Sequence, residues 1–257
     1  MRTCAVLDFE RLLLLSDMNK MPSEALILAG GLGTRLRGIV KDSPKPMAEI
    51  AGRPFLEWLI IQVRSQNVRK VILCVGYLGE VVQRHFGDGR QWGVSIDYSI
   101  ENSPLGTGGG LRLAANRISE NPVLAMNGDS YCRFDLEKLM HEHKTRGART
   151  TLVLVEVADR SRFGSIALGK DGSIATFHEK SPEACSGLVN AGIYLMETET
   201  IQSITPSRPV SLENDVLPGL VGRGLFGTVS RGPFVDIGTP SSFAGASEII
   251  LREYSGY

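Results

Sequence analysis

Leu28-Ala29-Gly30-Gly31-Leu32-Gly33-Thr34-Arg35-Leu36, entered from the apolar residues 25–29, decides the fold. That run has the length and composition of a strand buried on both faces of a parallel sheet. Gly30, Gly31 and Gly33 follow at once, and glycine loses too much backbone freedom to favour a helix there. Glycines instead let the main chain turn sharply and bring bare N–H groups up to a polyanion. Arg35 adds a planar, permanently charged fork suited to phosphate oxygens. Ten residues on, in Ser43-Pro44-Lys45-Pro46-Met47, two prolines predict a stiff, extended backbone presenting the Lys45 ammonium. A strand, a glycine turn and two pinned cations describe a phosphate site.

Two familiar phosphate loops do not fit. No glycine is followed after four residues by Gly-Lys-Ser/Thr, and G-x-G-x-x-G begins at Gly31 and Gly33 but meets Leu36 where its third glycine belongs. The missing glycine removes a nicotinamide-dependent dehydrogenase from consideration.

Outward from the glycine turn, strand and helix patterns alternate. Strands are predicted at 25–29, 70–75, 95–100, 123–126 and 151–157, and helices at 55–66, 79–86, 107–117 and 136–146. Short connections between them imply right-handed βαβ units and a mostly parallel, Rossmann-like sheet with helices on both faces. Ligands of such sheets bind beyond the carboxyl ends of the strands. Strand patterns at 163–168, 174–179 and 189–196, the first two joined by Gly169-Lys170-Asp171-Gly172, predict a small antiparallel insert across the mouth of the sheet. Residues 239–254 read as a closing amphipathic helix.

The chain's 257 residues suffice for one large α/β domain with a proper core. Lys plus Arg and Asp plus Glu are balanced at 28 each, which argues against nucleic acid as a partner. Cys4, Cys74, Cys132 and Cys185 are scattered without CxxC spacing, the usage of reduced thiols in a cytoplasmic protein. His141 and His143 stand two apart on a predicted helix and point to different faces, unlike a metal pair. No apolar run approaches the roughly 20 residues that cross a bilayer, so no membrane partner is expected. Residues 1–20, with Leu12-Leu13-Leu14-Leu15 at their centre, are expected to form a loose extension preceding a single domain at 21–257.

The opening strand, Gly30-Gly31-Leu32-Gly33-Thr34-Arg35-Leu36 and the downstream Pro44-Lys45-Pro46 resemble the signature of the sugar-1-phosphate nucleotidyltransferases (nucleotide-diphospho-sugar pyrophosphorylases). The resemblance runs from about residue 24 to about residue 250. Within the family it looks nearest to the short enzymes acting on heptose 1-phosphate, guanylyltransferases, or on N-acetylmuramate 1-phosphate. It implies that fold, a nucleoside triphosphate (GTP favoured) and a sugar 1-phosphate as partners, Mg²⁺ as cofactor, and a route to surface polysaccharide or lipopolysaccharide. Whether identical copies assemble is left open.

Residue by residue, the resemblance assigns the nucleotide to Leu28, Ala29, Gly30, Gly31, Gly33, Thr34 and Arg35. Arg35 would stabilise the departing pyrophosphate, and Lys45 the charge around the α-phosphate. Asp129, after the apolar residues 123–126, and Asp236, in Phe234-Val235-Asp236-Ile237-Gly238, match the family's metal pair, Asp129 being also catalytic. Each alone has a plainer reading: Asp129 capping the segment toward Phe134, Asp236 serving an Asx turn.

In Glu101-Asn102-Ser103-Pro104-Leu105-Gly106-Thr107, relatives read the base with main chain around Gly106 and Thr107 and with the side chain at Glu101. A carboxylate only accepts, and guanine offers adjacent N1–H and N2–H donors where uracil offers one N3–H. The alternative for Glu101 is a place in solvent. On the sugar side the resemblance assigns Gly164, Glu179, Lys180 and Asn190; Ser181 stands where the family has proline, which comes one residue later. The competing functions are a uridylyltransferase for an amino-sugar phosphate and a non-catalytic regulatory subunit that retains the nucleotide-sugar pocket.

Overall fold

The structure, a computed structural model, describes residues 21–31, 43–178, 185–206 and 208–255. Gly33, Thr34, Arg35, Glu179, Lys180 and the extension at 1–20 lie outside the described residues. In chain order the first half runs β1 (Glu24–Leu28), a short ladder of β2 (Glu49–Ile50) and β3 (Arg53–Pro54), α1 (Phe55–Ser65), β4 (Lys70–Val75) and α2 (Gly79–Phe86). There follow β5 (Ser95–Ile100), α3 (Gly106–Ala114), β6 (Val123–Asn127), β7 (Ser130–Cys132), α4 (Leu136–Thr145) and β8 (Thr150–Val157). The second half holds β9 (Ser165–Leu168), β10 (Ile174–His178), β11 (Gly187–Met196), α5 (Thr198–Gln202), α6 (Leu217–Leu220), β12 (Leu225–Ser230), β13 (Phe234–Asp236) and α7 (Pro240–Tyr254).

The apolar run at β1 occupies the middle of a nine-stranded sheet, in parallel register with β4 on one side and β6 on the other. Both faces of β1 and β6 are covered: Leu26, Ile27, Val123, Leu124 and Met126 are fully buried. Each such side chain contributes about 1.5–3 kcal/mol on leaving water. On one face α1 supplies Phe55, Leu56, Leu59, Ile60 and Val63, spaced three and four residues apart and all buried. The opposite face packs against α3 through Leu111 and Ala114.

The antiparallel insert exists, and Gly172 N–H closes its predicted hairpin on the Gly169 carbonyl at 3.0 Å. It is, however, an edge-on continuation of the main sheet and not a separate layer over it. The ten-residue β11 makes the join: residues 193–196 pair antiparallel with β6 and Leu188 with β9, while β8 pairs with both ends of β11. A strand of that length extends roughly 33 Å, enough to belong to both regions. Continuity of this kind depends on which strands meet, and periodicity does not encode it.

Three other expectations need correction. The helix at 107–117 is α3 ending at Ala114, followed by a separate 3₁₀ turn, Ala115–Arg117. Lys45 does not sit in extended chain: Pro44 is extended, but Lys45–Met47 is a 3₁₀ turn. Pro46 suits its first turn, where an N–H would lack a partner anyway. The closing helix begins at Pro240, with Thr239 as its cap, accepting from the Ser242 N–H at 3.3 Å.

Candidate active site

The loops after the parallel strands β1, β5 and β6 and the carboxyl end of β4 converge on one cleft. Its volume is about 540 Å³, and its lining includes Gly30, Gly31, Lys45, Glu101, Gly106, Thr107, Asp129, Gly164, Asn190 and Asp236. Leu28 lines it too. Ala29 instead lies buried beneath, its N–H held by the Cys74 carbonyl at 2.8 Å. The structure thus brings the described residues that the resemblance assigned to the nucleotide, Ala29 excepted, and Gly164 and Asn190 to one cavity.

Asp129 and Asp236, 107 residues apart in the chain, meet because β7 and β13 pair antiparallel with Asp236 opposite Ser130. Ile237 N–H donates to the Asp129 carbonyl at 3.0 Å, locking the two strand ends together. The Lys45 ammonium is 2.5 Å from Asp129 Oδ2 and 3.9 Å from Asp236 Oδ1. Arg162 reaches the far side, donating to Asp236 Oδ2 at 2.8 Å while its guanidinium lies over the Phe163 ring. Burial, then the nearby Asp129 charge, pushes the Asp236 carboxyl above its ordinary range against the pull of Lys45.

The plainer readings of these acids separate. Asp135, not Asp129, caps the helix after Phe134, accepting from the Lys138 N–H at 3.0 Å. Asp236 does accept from the Gly238 N–H at 2.7 Å, a turn contact made alongside its ion pairs.

Gly128 lets this site close. A Cβ there would stand 2.4 Å from the Leu28 carbonyl oxygen, and the Gly128 N–H donates to that same oxygen at 2.8 Å. Gly128→Ala therefore forces β6 away from β1 and is expected to cost about 2–3 kcal/mol of stability. A denaturant titration showing an unchanged midpoint would contradict this.

At the other end of the cleft Glu101 is half-buried and not in solvent. Its carboxylate lies against Gly30 and Gly76, whose Cβ atoms would fall 2.7 and 2.6 Å from Oε1. Oε2 accepts the Leu105 N–H at 3.2 Å. Burial pushes the Glu101 carboxyl up, partly offset by that hydrogen bond. The glycines at 106–110 serve a second purpose. Val210 O accepts from the N–H groups of Gly108 and Gly109 at 2.9 and 3.2 Å, and a Cβ on Gly106 would fall 2.5 Å from it. Chain from residue 210 thus covers the start of α3.

Asn190, which the resemblance assigned to the sugar, is oriented by two bonds: its Oδ1 accepts the Gly192 N–H at 2.9 Å and its Nδ2 donates to Tyr194 Oη at 2.7 Å. Gly164 lies beside Phe163 in the cleft wall. Sequence reasoning missed Arg162, whose only local signal was a base directly before Phe163-Gly164. It also missed Glu213, which lines the cleft from a five-residue π-helical turn, Leu212–Val216.

The histidines take no part. His143 is buried between Thr151 Oγ1 and Glu197 Oε1, at 2.8 and 3.2 Å. Among the described residues no three His, Cys, Asp or Glu side chains gather as a metal set. The two carboxylates nonetheless fit Mg²⁺, which takes one or two protein carboxylates and fills its other positions with water and substrate phosphates.

Residues 24–253 match the family model described as nucleotidyl transferase. The mannose-1-phosphate guanylyltransferase of Mycobacterium tuberculosis is 36% identical over 232 residues, 89% of this chain and 65% of that enzyme. The D-glycero-alpha-D-manno-heptose 1-phosphate guanylyltransferase of Aneurinibacillus thermoaerophilus is 36% identical over 226 residues, 88% of this chain and 97% of that enzyme. Among solved structures, HddC from Yersinia pseudotuberculosis superposes with a TM-score of 0.77 at 32% identity, covering 88% of this chain and 98% of that one. HddC has also been solved in complex with GMP-PN. The chain belongs to the nucleotidyl transferase family, and is an enzyme of the class that the glycine turn and the strand-end carboxylates define.

Proposed function

We propose that this chain transfers guanylate from GTP to a sugar 1-phosphate, heptose 1-phosphate in the first instance, releasing pyrophosphate. The observation that carries the reading is the layout of the cleft: an acceptor-only carboxylate, Glu101, at one end and the Asp129–Lys45–Asp236 cluster at the other. Similarity to two heptose 1-phosphate guanylyltransferases, at 36% and 34% identity, supports heptose as the first acceptor to test.

An oxygen of the sugar phosphate attacks the α-phosphorus in line, and the bond to the bridging α–β oxygen breaks. The attacking oxygen is already ionised at neutral pH, so no side chain need remove a proton. The work left to the protein is alignment and charge neutralisation. Asp129 and Asp236 would hold Mg²⁺, which when bound neutralises phosphate charge and draws the oxygens into line. Lys45, packed between the two acids, would give its ammonium to the α-phosphate. Arg162 would face the sugar phosphate, with Lys180, and Arg35 the leaving pyrophosphate. The Glu101 carboxylate would accept from guanine N1–H and N2–H. Among the described residues the buried Cys74 and Cys132 form no disulfide, which supports a reducing cytoplasmic setting, and no helix there is long and apolar enough to cross a membrane.

Pyrophosphate release measured over four NTPs with heptose, mannose and N-acetylmuramate 1-phosphates tests the assignment. GTP with heptose 1-phosphate should be fastest; UTP with N-acetylmuramate 1-phosphate fastest would establish the uridylyl alternative, and no release with any pair the regulatory one.

Base choice carries its own test. Glu101→Gln places an amide donor against guanine donors, and should lower the kcat/KM ratio of GTP over UTP by about 1–3 kcal/mol, roughly ten- to a hundredfold. Protonation should do the same to the native enzyme. Because burial raises the Glu101 pKa, the accepting carboxylate is present above that raised value and is lost as pH falls through it. The GTP preference should therefore decline at a pH above the ordinary glutamate range. An unchanged ratio in both experiments would assign base reading to the main chain at 105–107.

A further inference from the structure

Glu213 joins the two halves of the cleft, and no role in the reaction so far uses it. Its Oε2 accepts the Thr107 hydroxyl at 2.6 Å and the Ser211 hydroxyl at 3.1 Å. Its Oε1 accepts the Tyr194 hydroxyl at 3.2 Å. Thr107 is held from a second side, since its Oγ1 accepts the Leu212 N–H at 2.8 Å.

The direction of these bonds matters as much as their presence. A carboxylate can only accept. Tyr194, fully buried, must therefore spend its single proton on Glu213 and can only accept from Asn190. That turns the Asn190 Nδ2 toward the phenol and leaves its Oδ1 on the Gly192 N–H. The chain Glu213–Tyr194–Asn190 thus has one polarity, set at its acidic end. Its other arm, Glu213–Thr107, fixes the start of α3, the segment that the guanylyltransferase reading assigns to the nucleobase.

We propose that Glu213 is a positioning residue common to both substrates, holding Thr107 for the base and, through the Tyr194 phenol, Asn190 for the sugar hydroxyls. The proposal rests on the guanylyltransferase reading and adds to it the residue that aligns donor with acceptor. Both arms hang on one side chain of a π-helical turn, a rare geometry found often at functional sites.

The two arms can be cut separately. Tyr194→Phe removes the hydroxyl between Glu213 and Asn190; it should raise the KM for the sugar 1-phosphate about tenfold, the scale of one buried hydrogen bond, and leave GTP affinity within about twofold. Thr107→Val should do the reverse, weakening GTP about tenfold by calorimetry and sparing the sugar KM. Glu213→Gln, an isostere that can donate where only an acceptor serves, should shift both and lower kcat beyond either single change.

Equal effects of Tyr194→Phe and Thr107→Val on both substrates, or no effect of either, would overturn the proposal even if Glu213→Gln failed to fold. Wild-type enzyme inactive with every sugar 1-phosphate would instead refute the guanylyltransferase reading, which the same assay records before any variant is made.

Discussion

Asp129→Ala is expected to reduce kcat by at least about a hundredfold, the loss that follows removal of a charge-stabilising element from a transition state. The fold should survive the change. Among the described residues the Asp129 carboxylate hydrogen-bonds only to Lys45 and, at 3.4 Å, Ser130, whereas its main-chain carbonyl holds Ile237 and is kept in the variant. Its side chain is also 38% exposed, so the ion pair with Lys45 is partly screened and contributes little to stability. A melting temperature near that of the native protein together with activity below about one hundredth is the anticipated pair of results. Retention of more than about a tenth of native activity would show that the phosphates are held without this carboxylate.

Lys45→Met should have an effect of comparable size for a different reason. The methionine keeps much of the apolar stem but leaves two neighbouring carboxylates without the ammonium between them. Catalytically, the α-phosphate loses its cation, a loss of about a hundred- to a thousandfold in kcat. Bound Mg²⁺ would still neutralise Asp129 and Asp236, so the GTP dissociation constant should change far less than kcat, the pattern of a contact made mainly in the transition state. Single-turnover kinetics with a separate GTP binding titration distinguish these quantities. A change confined to GTP affinity would reduce Lys45 to a ground-state binder.

Much of this was legible in the sequence, for reasons that can be named. Residues 25–29 and 123–126 lie in parallel strands covered on both faces, so they are written as continuous apolar runs. Residues that follow the parallel strands are delivered to the cleft by topology alone, which is why Gly30, Gly31, Glu101 and Asp129 could be placed there without contacts.

What stayed hidden is tertiary. The meeting of Asp129 with Asp236 was expected only through the family resemblance, because it depends on pairing between two three-residue strands, too short to show a period. The resemblance assigned the main chain around Gly106 to the base, whereas Gly106 and Gly108 also make room for Val210. Lys45 between two prolines suggested extended chain; the 3₁₀ turn there instead points its ammonium inward, where it is only 13% exposed. Glu213 had no local signal at all, because Thr107 and Tyr194, 106 and 19 residues away in sequence, define its role.

The central claim is that one cleft joins GTP to a sugar 1-phosphate. Its most direct test is to incubate the protein with GTP, Mg²⁺ and heptose 1-phosphate, and to measure pyrophosphate and GDP-sugar together. Equal amounts of the two products, formed only when both substrates are present and faster with GTP than with UTP, are the predicted result. Pyrophosphate release that ignores the sugar phosphate, or no GDP-sugar from any sugar 1-phosphate, would contradict it.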